Sequence, residues 1–295
     1  SSPLTNPGND KERYKRSADA AQLVVKSAFR YKLMNFTDDS ESFTDLYAVS
    51  ENFLQYHREI VFSTKYNNTV SVEQQNSPLT MGGKGLTNPT QNLADAFGMA
   101  NGKGINEPGS GYDEDHPYVG RDPRFYMTFA YDGSEFTVND KTQTIETFEG
   151  GKDATATNKT ATKTGYYLKK LLSPQAVWDG RTNNITRTWI LMRYAEVLLN
   201  YAEAMNEYCE SPSQAPNDSI YKVVELIRKR AELSPYKLPA GLTKEEMREV
   251  IRNERRVELA FEEHRFLRYP PLAPVRRSAG ESRLSENRRY ANCKR

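Results

Sequence analysis

The chain has 295 residues, of which 37% are hydrophobic and 27% are charged, and its formal net charge is +2. This length can form one large domain or two small ones with a substantial core. The near-neutral charge disfavours a polyanionic partner, and no stretch approaches the ~20 consecutive apolar residues of a membrane-spanning helix.

Apolar residues at three- and four-residue spacing predict a first helix over residues 9–33. A second helix is predicted over residues 189–208, where two adjacent apolar stripes with several alanines indicate close packing against a neighbour. A third helix is predicted over residues 219–233. The second and third helices together have about the size of one tetratricopeptide repeat.

The fourth predicted helix begins at Thr243 and extends to about Phe266. Thr243 and Glu246 have the spacing of a capping box, in which each side chain bonds the backbone N–H of the other residue. Three prolines follow the helix within eight residues and forbid its continuation.

Residues 35–180 differ in character, because glycine-rich turns separate short extended candidates. These candidates lie at residues 59–66, 124–132 and 166–172. We therefore expect a mainly α fold, with a tetratricopeptide-like helical scaffold at residues 188–266 and a loop-rich subdomain that contains a few short strands. Long ordered loops on a helical scaffold are a common location for binding sites.

Six segments, which occur along the chain in the order that the family shows, resemble the SusD/RagB family. Residues 188–204 (TWILMRYAEVLLNYAEA) resemble the family's RYAEVLLNYAEA helix. Residues 226–233 (LIRKRAEL) are similar to its IRxRAGL segment, and residues 251–266 (IRNERRVELAFEEHRF) to its ERRxELAFEGxR helix. The upstream matches are residues 88–97, 121–127 and 165–170.

The resemblance implies that residues 1–266 are the carboxy-terminal portion of a nutrient-binding lipoprotein and not an enzyme. Such proteins bind oligosaccharides, or peptides in the RagB branch, in the polysaccharide utilisation of Bacteroidetes. They deliver the ligand to a SusC-type TonB-dependent transporter at the surface of the outer membrane. A helical scaffold that only docks the transporter is an alternative. Membrane attachment is through an amino-terminal lipidated cysteine that this chain does not include.

Two departures from the family pattern stand out. Glu263 replaces the glycine of the ERRxELAFEGxR motif, and the resemblance ends near Phe266. Residues 267–295 contain eight Lys and Arg and two Glu, a charge of +6, which leaves −4 for the other residues because the whole chain has 41 basic and 39 acidic side chains. This tail has no nucleic-acid-binding motif, so we expect no nucleic-acid partner. We interpret it as an atypical basic tail that is either outside the native reading frame or the product of cloning or of a sequencing error.

Paired carboxylates are the most enzyme-like feature of the sequence. Glu254 and Glu258 lie one turn apart on the apolar face of the fourth helix, a spacing that could serve acid–base chemistry in a glycoside hydrolase. The alternative is that arginines neutralise them, and we favour it because arginines are frequent in the matching helices. The side chains that we expect in structural ion pairs are Arg193, Glu196, Glu203, Arg228, Arg230, Glu254 and Glu258.

Sugar binding requires flat aromatic faces flanked by polar groups. The ligand-binding candidates are therefore aromatic residues of the loops and their polar neighbours: Trp178, Asp179, Arg181, Tyr66, Tyr112 and Tyr118. We expect no cofactor and no metal site with histidine ligands. An acidic cluster at residues 112–115 has oxygen ligands of the kind that calcium uses, although its spacing fits no calcium-loop template.

Overall fold

The structure, a computed structural model, describes residues 11–27, 30–34, 46–47, 58–64, 67–178 and 185–264. These residues form a mainly helical fold with a few short strands, which confirms the predicted fold class. The helices are α1 (Lys11–Val25), α2 (Ser71–Asn76), α3 (Gln91–Ala96), α4 (Pro123–Thr128), α5 (Tyr194–Tyr208), α6 (Ser219–Arg230) and α7 (Lys244–Glu258). The strands are β1 (Ile60–Ser63), β2 (Asn67–Asn68), β3 (Phe129–Ala130), β4 (Glu135–Val138), β5 (Lys141–Thr144), β6 (Tyr167–Leu168), β7 (Thr186–Arg187) and β8 (Ile190–Arg193). No described helix has both the length and the apolar character required to cross a membrane.

Helix α5 is the centre of the scaffold and packs against α1, α6 and α7. Both of its predicted apolar stripes are buried, including Ala195 and Ala202, whose small side chains permit close approach of the neighbouring helices. Helix α6 contributes Ile220 and Ile227 to the same core, and α7 contributes Ile251. The periodicity of the sequence therefore identified the scaffold core.

The first turn of the predicted second helix is instead strand β8. Its backbone pairs with β1 in antiparallel register, with Arg193 opposite Ile60 and Ile190 opposite Ser63. Leu191 continues the apolar stripe in sequence, but its side chain is exposed. The helical period extended into β8 by coincidence, because pairing with a distant strand decides the conformation of this short segment.

Two other predicted helices end early for identifiable reasons. Helix α1 stops at Val25, and farther on the Lys32 N–H donates to the Arg58 carbonyl oxygen, so this segment pairs with a distant part of the chain. Helix α7 stops at Glu258, where the buried Lys170 ammonium donates to the carbonyl oxygens of Glu258 and Ala260. The predicted capping box at the start of α7 is present.

The loop-rich region contains four separate two-stranded sheets, β1–β8, β2–β7, β3–β6 and β4–β5. The predicted extended segment 124–132 is wrong for most of its length, because residues 123–128 form α4. Asp122 accepts a hydrogen bond from the Arg124 N–H and Pro123 occupies the first helical position, a helix start that outweighs the aromatic strand-like composition. Helices α2 and α3 also lie in this region, which we expected to hold loops and strands.

Glu263 adopts a left-handed backbone with φ of 64° at the position where the family motif has glycine. A side chain there costs roughly 1 kcal/mol, and Glu263 makes no hydrogen bond or ion pair with the described residues that would offset it. Glu263→Gly is therefore expected to raise the free energy of unfolding by roughly 1 kcal/mol in urea titrations. Glu263→Ala, which removes the side chain but keeps the Cβ, should give no such gain, and equal effects of the two substitutions would contradict the backbone explanation.

Candidate functional site

Tyrosines from α4 and from several loops gather around Phe125. We call this group the tyrosine patch, and its members are Tyr112, Tyr118, Tyr126, Tyr131 and Tyr166. The Tyr118 ring lies 4.4 Å from the Tyr131 ring and 6.3 Å from the Tyr166 ring, centroid to centroid. Tyr118 and Tyr131 are both half-buried, so part of this aromatic surface faces solvent.

Arg121 connects Tyr112 to the rest of the patch. Its guanidinium carbon lies 5.5 Å from the Tyr112 ring centroid and 4.5 Å from the Phe125 ring centroid, which is cation–π geometry. The guanidinium donates to four carbonyl oxygens, those of Ala94, Phe97, Gly98 and Pro117. This almost fully buried arginine therefore fixes the loop that carries Tyr112 and Tyr118, and burial lowers its pKa.

Polar groups lie at the edge of the patch. The Tyr166 hydroxyl donates to Gln91 Oε1 at 3.1 Å, and Gln91 Nε2 donates to Asp95 Oδ1 at 2.7 Å. The Tyr131 hydroxyl makes no hydrogen bond to any described residue. Sugar recognition requires an aromatic face with hydrogen-bonding groups beside it. Here those groups are the Gln91 amide, the Asp95 carboxylate and the Tyr131 hydroxyl.

The sequence predicted Tyr112 and Tyr118, and the structure brings these two together. It did not identify Tyr126, Tyr131, Tyr166 or Gln91. A usable signal was present in the density of aromatic residues, because four tyrosines and two phenylalanines fall within residues 112–131.

Trp178 lies in a different cluster, beside the turn between β4 and β5. Its backbone N–H donates to Asn139 Oδ1 at 2.9 Å. The indole lies over Gly82, where an added Cβ would be 3.5 Å from Nε1, and the φ of Gly82 is +86°. Trp178 is half-buried, so one part of the ring packs on the core while another part is accessible. Its predicted neighbours Asp179 and Arg181, and also Tyr66, lie outside the described residues.

The acidic cluster at residues 112–115 uses its carboxylates locally. Asp113 Oδ2 lies 2.8 Å from His116 Nδ1, and Asp113 Oδ1 accepts from the Asp115 N–H. Within the part of the chain that the structure describes, no group of three or more His, Cys, Asp or Glu side chains is arranged to hold a metal ion. Calcium binding here stays a sequence-based prediction.

A buried ion network connects the scaffold to the loop-rich region. Its carboxylates are Glu59, Asp122, Glu254, Glu258 and Glu262, and its cations are Arg124, Lys170, Arg193, Arg228 and Arg230. Each of these side chains is at most 11% exposed. Because the two groups are equal in number, the described network is neutral.

Glu258 is the centre of the network. Its Oε1 lies 2.7 Å from Arg193 Nη1 and also accepts from Arg230, while its Oε2 lies 3.1 Å from Arg124 Nη1. Burial alone would raise the pKa of Glu258, but the arginines hold that pKa well below its usual value. Glu258 is therefore ionised and fully engaged, which is unsuitable for a general acid.

The other predicted ion-pair members find separate partners. Glu254 Oε1 lies 2.6 Å from Arg124 Nη1. Arg193 contacts Glu59 and Glu262 in addition to Glu258. Glu196 and Glu203 belong to the same predicted helix as Arg193, but they pair elsewhere. Glu196 Oε2 lies 3.7 Å from His264 Nε2, and Glu203 Oε2 lies 3.2 Å from Arg255 Nη2. Arg193 lies in the extended strand β8, so helical spacing did not apply to it.

Lys170 and Glu262 extend the network beyond the end of α7. The Lys170 ammonium lies 2.7 Å from Glu262 Oε1, and Arg193 Nε lies 2.8 Å from Glu262 Oε2. Burial lowers the pKa of Lys170 to about 8. Burial alone would raise the pKa of Glu262, but Arg193 and Lys170 outweigh this effect and lower that pKa to about 2.

Comparisons with known proteins agree with this architecture. A family model described as the SusD family matches residues 52–268. A SusD-like protein from Bacteroides fragilis NCTC 9343 is similar in structure, with a TM-score of 0.66, 27% identity, and coverage of 88% of this chain and 50% of that chain. A SusD-like carbohydrate-binding protein from the same strain has a TM-score of 0.65 and 22% identity, over 85% of this chain and 47% of that chain.

Surface glycan-binding protein A from Bacteroides uniformis is a more distant likeness, with a TM-score of 0.51 and 17% identity, over 85% of this chain and 43% of that chain. The chain thus spans about half the length of the solved structures it matches. No curated protein sequence matches it. The family match ends at residue 268, and residues 265–295 lie outside the described residues, so our interpretation of the tail stays a prediction.

Proposed function

Because the chain belongs to the SusD family, we propose that it binds an oligosaccharide and delivers it to a SusC-type TonB-dependent transporter at the surface of the outer membrane. Two of its structural neighbours are named as carbohydrate- or glycan-binding proteins, which supports this class of ligand. The observation that carries the proposal for this chain is the half-exposed Tyr118–Tyr131 pair, with the open Tyr131 hydroxyl and the Gln91 amide beside it.

A sugar ring fits this surface for a simple physical reason. One face of a pyranose is largely C–H and packs on an aromatic ring, while its hydroxyls need donors and acceptors at the edge. Tyr131 supplies both an aromatic face and a hydroxyl. Arg121 keeps the loop of Tyr112 and Tyr118 in place before the ligand arrives, which reduces the entropy cost of binding.

We infer that the chain is a binding protein and not a hydrolase. A hydrolase acid must be protonated at neutral pH, whereas the pKa of Glu258 is far below that range. Glu254 and Glu258 share Arg124 and lie within the buried ion network rather than on the tyrosine patch. Release of reducing sugar from any bound glycan would contradict this inference.

Tyr131→Ala is expected to weaken glycan binding by on the order of tenfold, because a stacking ring contributes about 1 kcal/mol beyond its hydroxyl contact. Tyr131→Phe retains the ring and should lose less. Affinity gel electrophoresis against neutral and acidic polysaccharides would identify a glycan, and calorimetry with oligosaccharides from that glycan would give the dissociation constants. Tyr14→Ala, on α1 of the scaffold, is the matched control and should leave the affinity unchanged.

Trp178→Ala tests, in the same experiment, the alternative that Trp178 is the aromatic platform for the sugar. If Trp178 is the platform, its substitution weakens binding while the Tyr131 variants bind normally, and the tyrosine patch is then not the site. If the protein binds peptides but none of the glycans, the proposed ligand class is wrong.

A further inference from the structure

A groove of about 730 Å³ lies between the start of α7 and the loop of residues 98–107. It is separate from the exposed face of the tyrosine patch, although both adjoin α3. Its apolar walls include Met99, Ile105 and Val250, and Ile105 and Val250 are half-exposed. A cavity of this size lies within the range of small-molecule sites.

The floor of the groove holds two charged groups with unused hydrogen-bonding capacity. Glu254 is only 4% exposed, and its Oε1 is bound to Arg124. Its Oε2 accepts no hydrogen bond from any described residue, and the nearest cationic atom is Arg228 Nη1 at 3.8 Å. Arg228 Nε and Nη2 donate to carbonyl oxygens, while Nη1 has no hydrogen-bond acceptor among the described residues.

Glu254 Oε2 and Arg228 Nη1 attract each other as an ion pair, but at 3.8 Å they are too far apart for a direct hydrogen bond, and one hydroxyl oxygen beside the pair can lie about 2.8 Å from both atoms. A hydroxyl can donate to Glu254 Oε2 and accept from Arg228 Nη1 at the same time. An ammonium cannot accept from the arginine, and a carboxylate cannot donate to the glutamate. The floor therefore favours a hydroxylated ligand over a charged one.

The charged residues at the rim of the groove add a second preference, which is against acidic ligands. Apart from members of the buried ion network, the charged residues that line the groove are five carboxylates, Asp95, Glu107, Glu245, Glu246 and Glu249, and one cation, Lys103. Arg248 and Arg252 pair with Glu245 and Glu249 at 3.5 and 2.7 Å, so carboxylates still outnumber the cations on and beside this rim. Carboxylates accept hydrogen bonds from sugar hydroxyls, and they repel anions. A glycan with uronate or sulfate groups would have to bring like charges onto this rim.

We propose that the groove is a second glycan-binding site, which takes a sugar unit that carries no acidic group. This inference rests on the proposed function and specifies its ligand class. One hydroxyl of the sugar bridges Glu254 and Arg228, the C–H face packs on Ile105 and Val250, and the rim carboxylates accept from the remaining hydroxyls.

The groove and the tyrosine patch adjoin the same short helix. Asp95 of α3 lines the groove, and its carboxylate accepts from Gln91, which in turn accepts from Tyr166 of the patch. One glycan chain long enough to pass α3 would contact both surfaces. Affinity should then increase with chain length until both are occupied.

The test uses variants that obstruct the groove without altering the buried ion network. Val250→Trp fills the groove from α7, and Ile105→Trp fills it from the facing loop, so one variant remains if the other does not fold. Either variant is expected to weaken binding of a neutral oligosaccharide about tenfold. The measurement is calorimetry with hexasaccharides prepared from a neutral polysaccharide that the wild-type chain binds in affinity gel electrophoresis. Glu149→Lys, an exposed acidic residue outside the groove, is the charge control.

Charge selection is tested with polygalacturonate oligosaccharides. The wild-type chain should bind them more weakly than the neutral hexasaccharide. The double variant Glu245→Lys with Glu249→Lys should reduce that difference, whereas Glu149→Lys should not.

Normal binding by both folded tryptophan variants, or equal wild-type affinity for acidic and neutral glycans, overturns the inference. If Tyr131→Ala still weakens binding in that case, the proposed function stands, and if the wild-type chain binds no glycan at all, both are wrong.

Discussion

Glu258→Ala is expected to lower the free energy of unfolding by about 3–5 kcal/mol, because it removes one carboxylate from among three buried arginines. The destabilisation arises from the charges that remain. Arg124, Arg193 and Arg230 keep other partners, but the network acquires a net positive charge in a region that water does not reach. Urea titration monitored by circular dichroism measures the effect.

Two further variants separate charge from shape. Glu258→Gln keeps the side-chain volume and one acceptor oxygen, so it should lower the free energy of unfolding less than Glu258→Ala does. Asp19→Ala breaks the exposed pair with Lys15 on α1 and should leave the stability nearly unchanged. Equal, small effects at Glu258 and Asp19 would show that the buried network does not stabilise the fold in the way its geometry implies.

The contacts of the network explain which parts of the fold were predictable. The stripes of α5, α6 and α7 follow from local spacing, so the sequence located those helices and their buried faces. The sequence also indicated that arginines neutralise Glu254 and Glu258. It could not name Glu59, Lys170 or Asp122 as members, because these residues come from segments that meet α7 only through tertiary packing.

The predicted ends of the helices were wrong for the same reason. The backbone of β8 is extended because β1 lies beside it, and α7 ends where Lys170 binds its last carbonyl oxygen, that of Glu258. Neither partner lies within one helical turn of the residue it controls. Local periodicity carries no information about such contacts.

The candidate site was predicted in part. Tyr112 and Tyr118 were selected as loop aromatics, and the structure places them together, but Tyr131 was assigned to an extended segment. The helix start at Asp122 and Pro123 changes where the following residues project. The groove was not predicted at all, since α7 and the loop that form it lie more than 130 residues apart in sequence.

Acid is expected to destabilise the fold through Glu262. Its pKa is lowered from 4.5 to about 2 in the folded chain, so between these values the unfolded chain binds a proton that the folded chain does not. The stabilisation from Glu262 is therefore complete above pH 4.5 and is lost as the pH falls towards 2. Its full size is roughly 3 kcal/mol.

Comparison with Glu262→Gln assigns this pH dependence to one residue. At pH 7 the variant lacks the ionised partner of Lys170 and Arg193 and should be less stable than the wild-type chain by roughly 3 kcal/mol. Protonated Glu262 is a close analogue of glutamine, so the difference between the two proteins should shrink as the pH falls from 4.5 towards 2. A difference that stays constant across this range in urea titrations would mean that Glu262 stabilises the fold by packing and not by its charge.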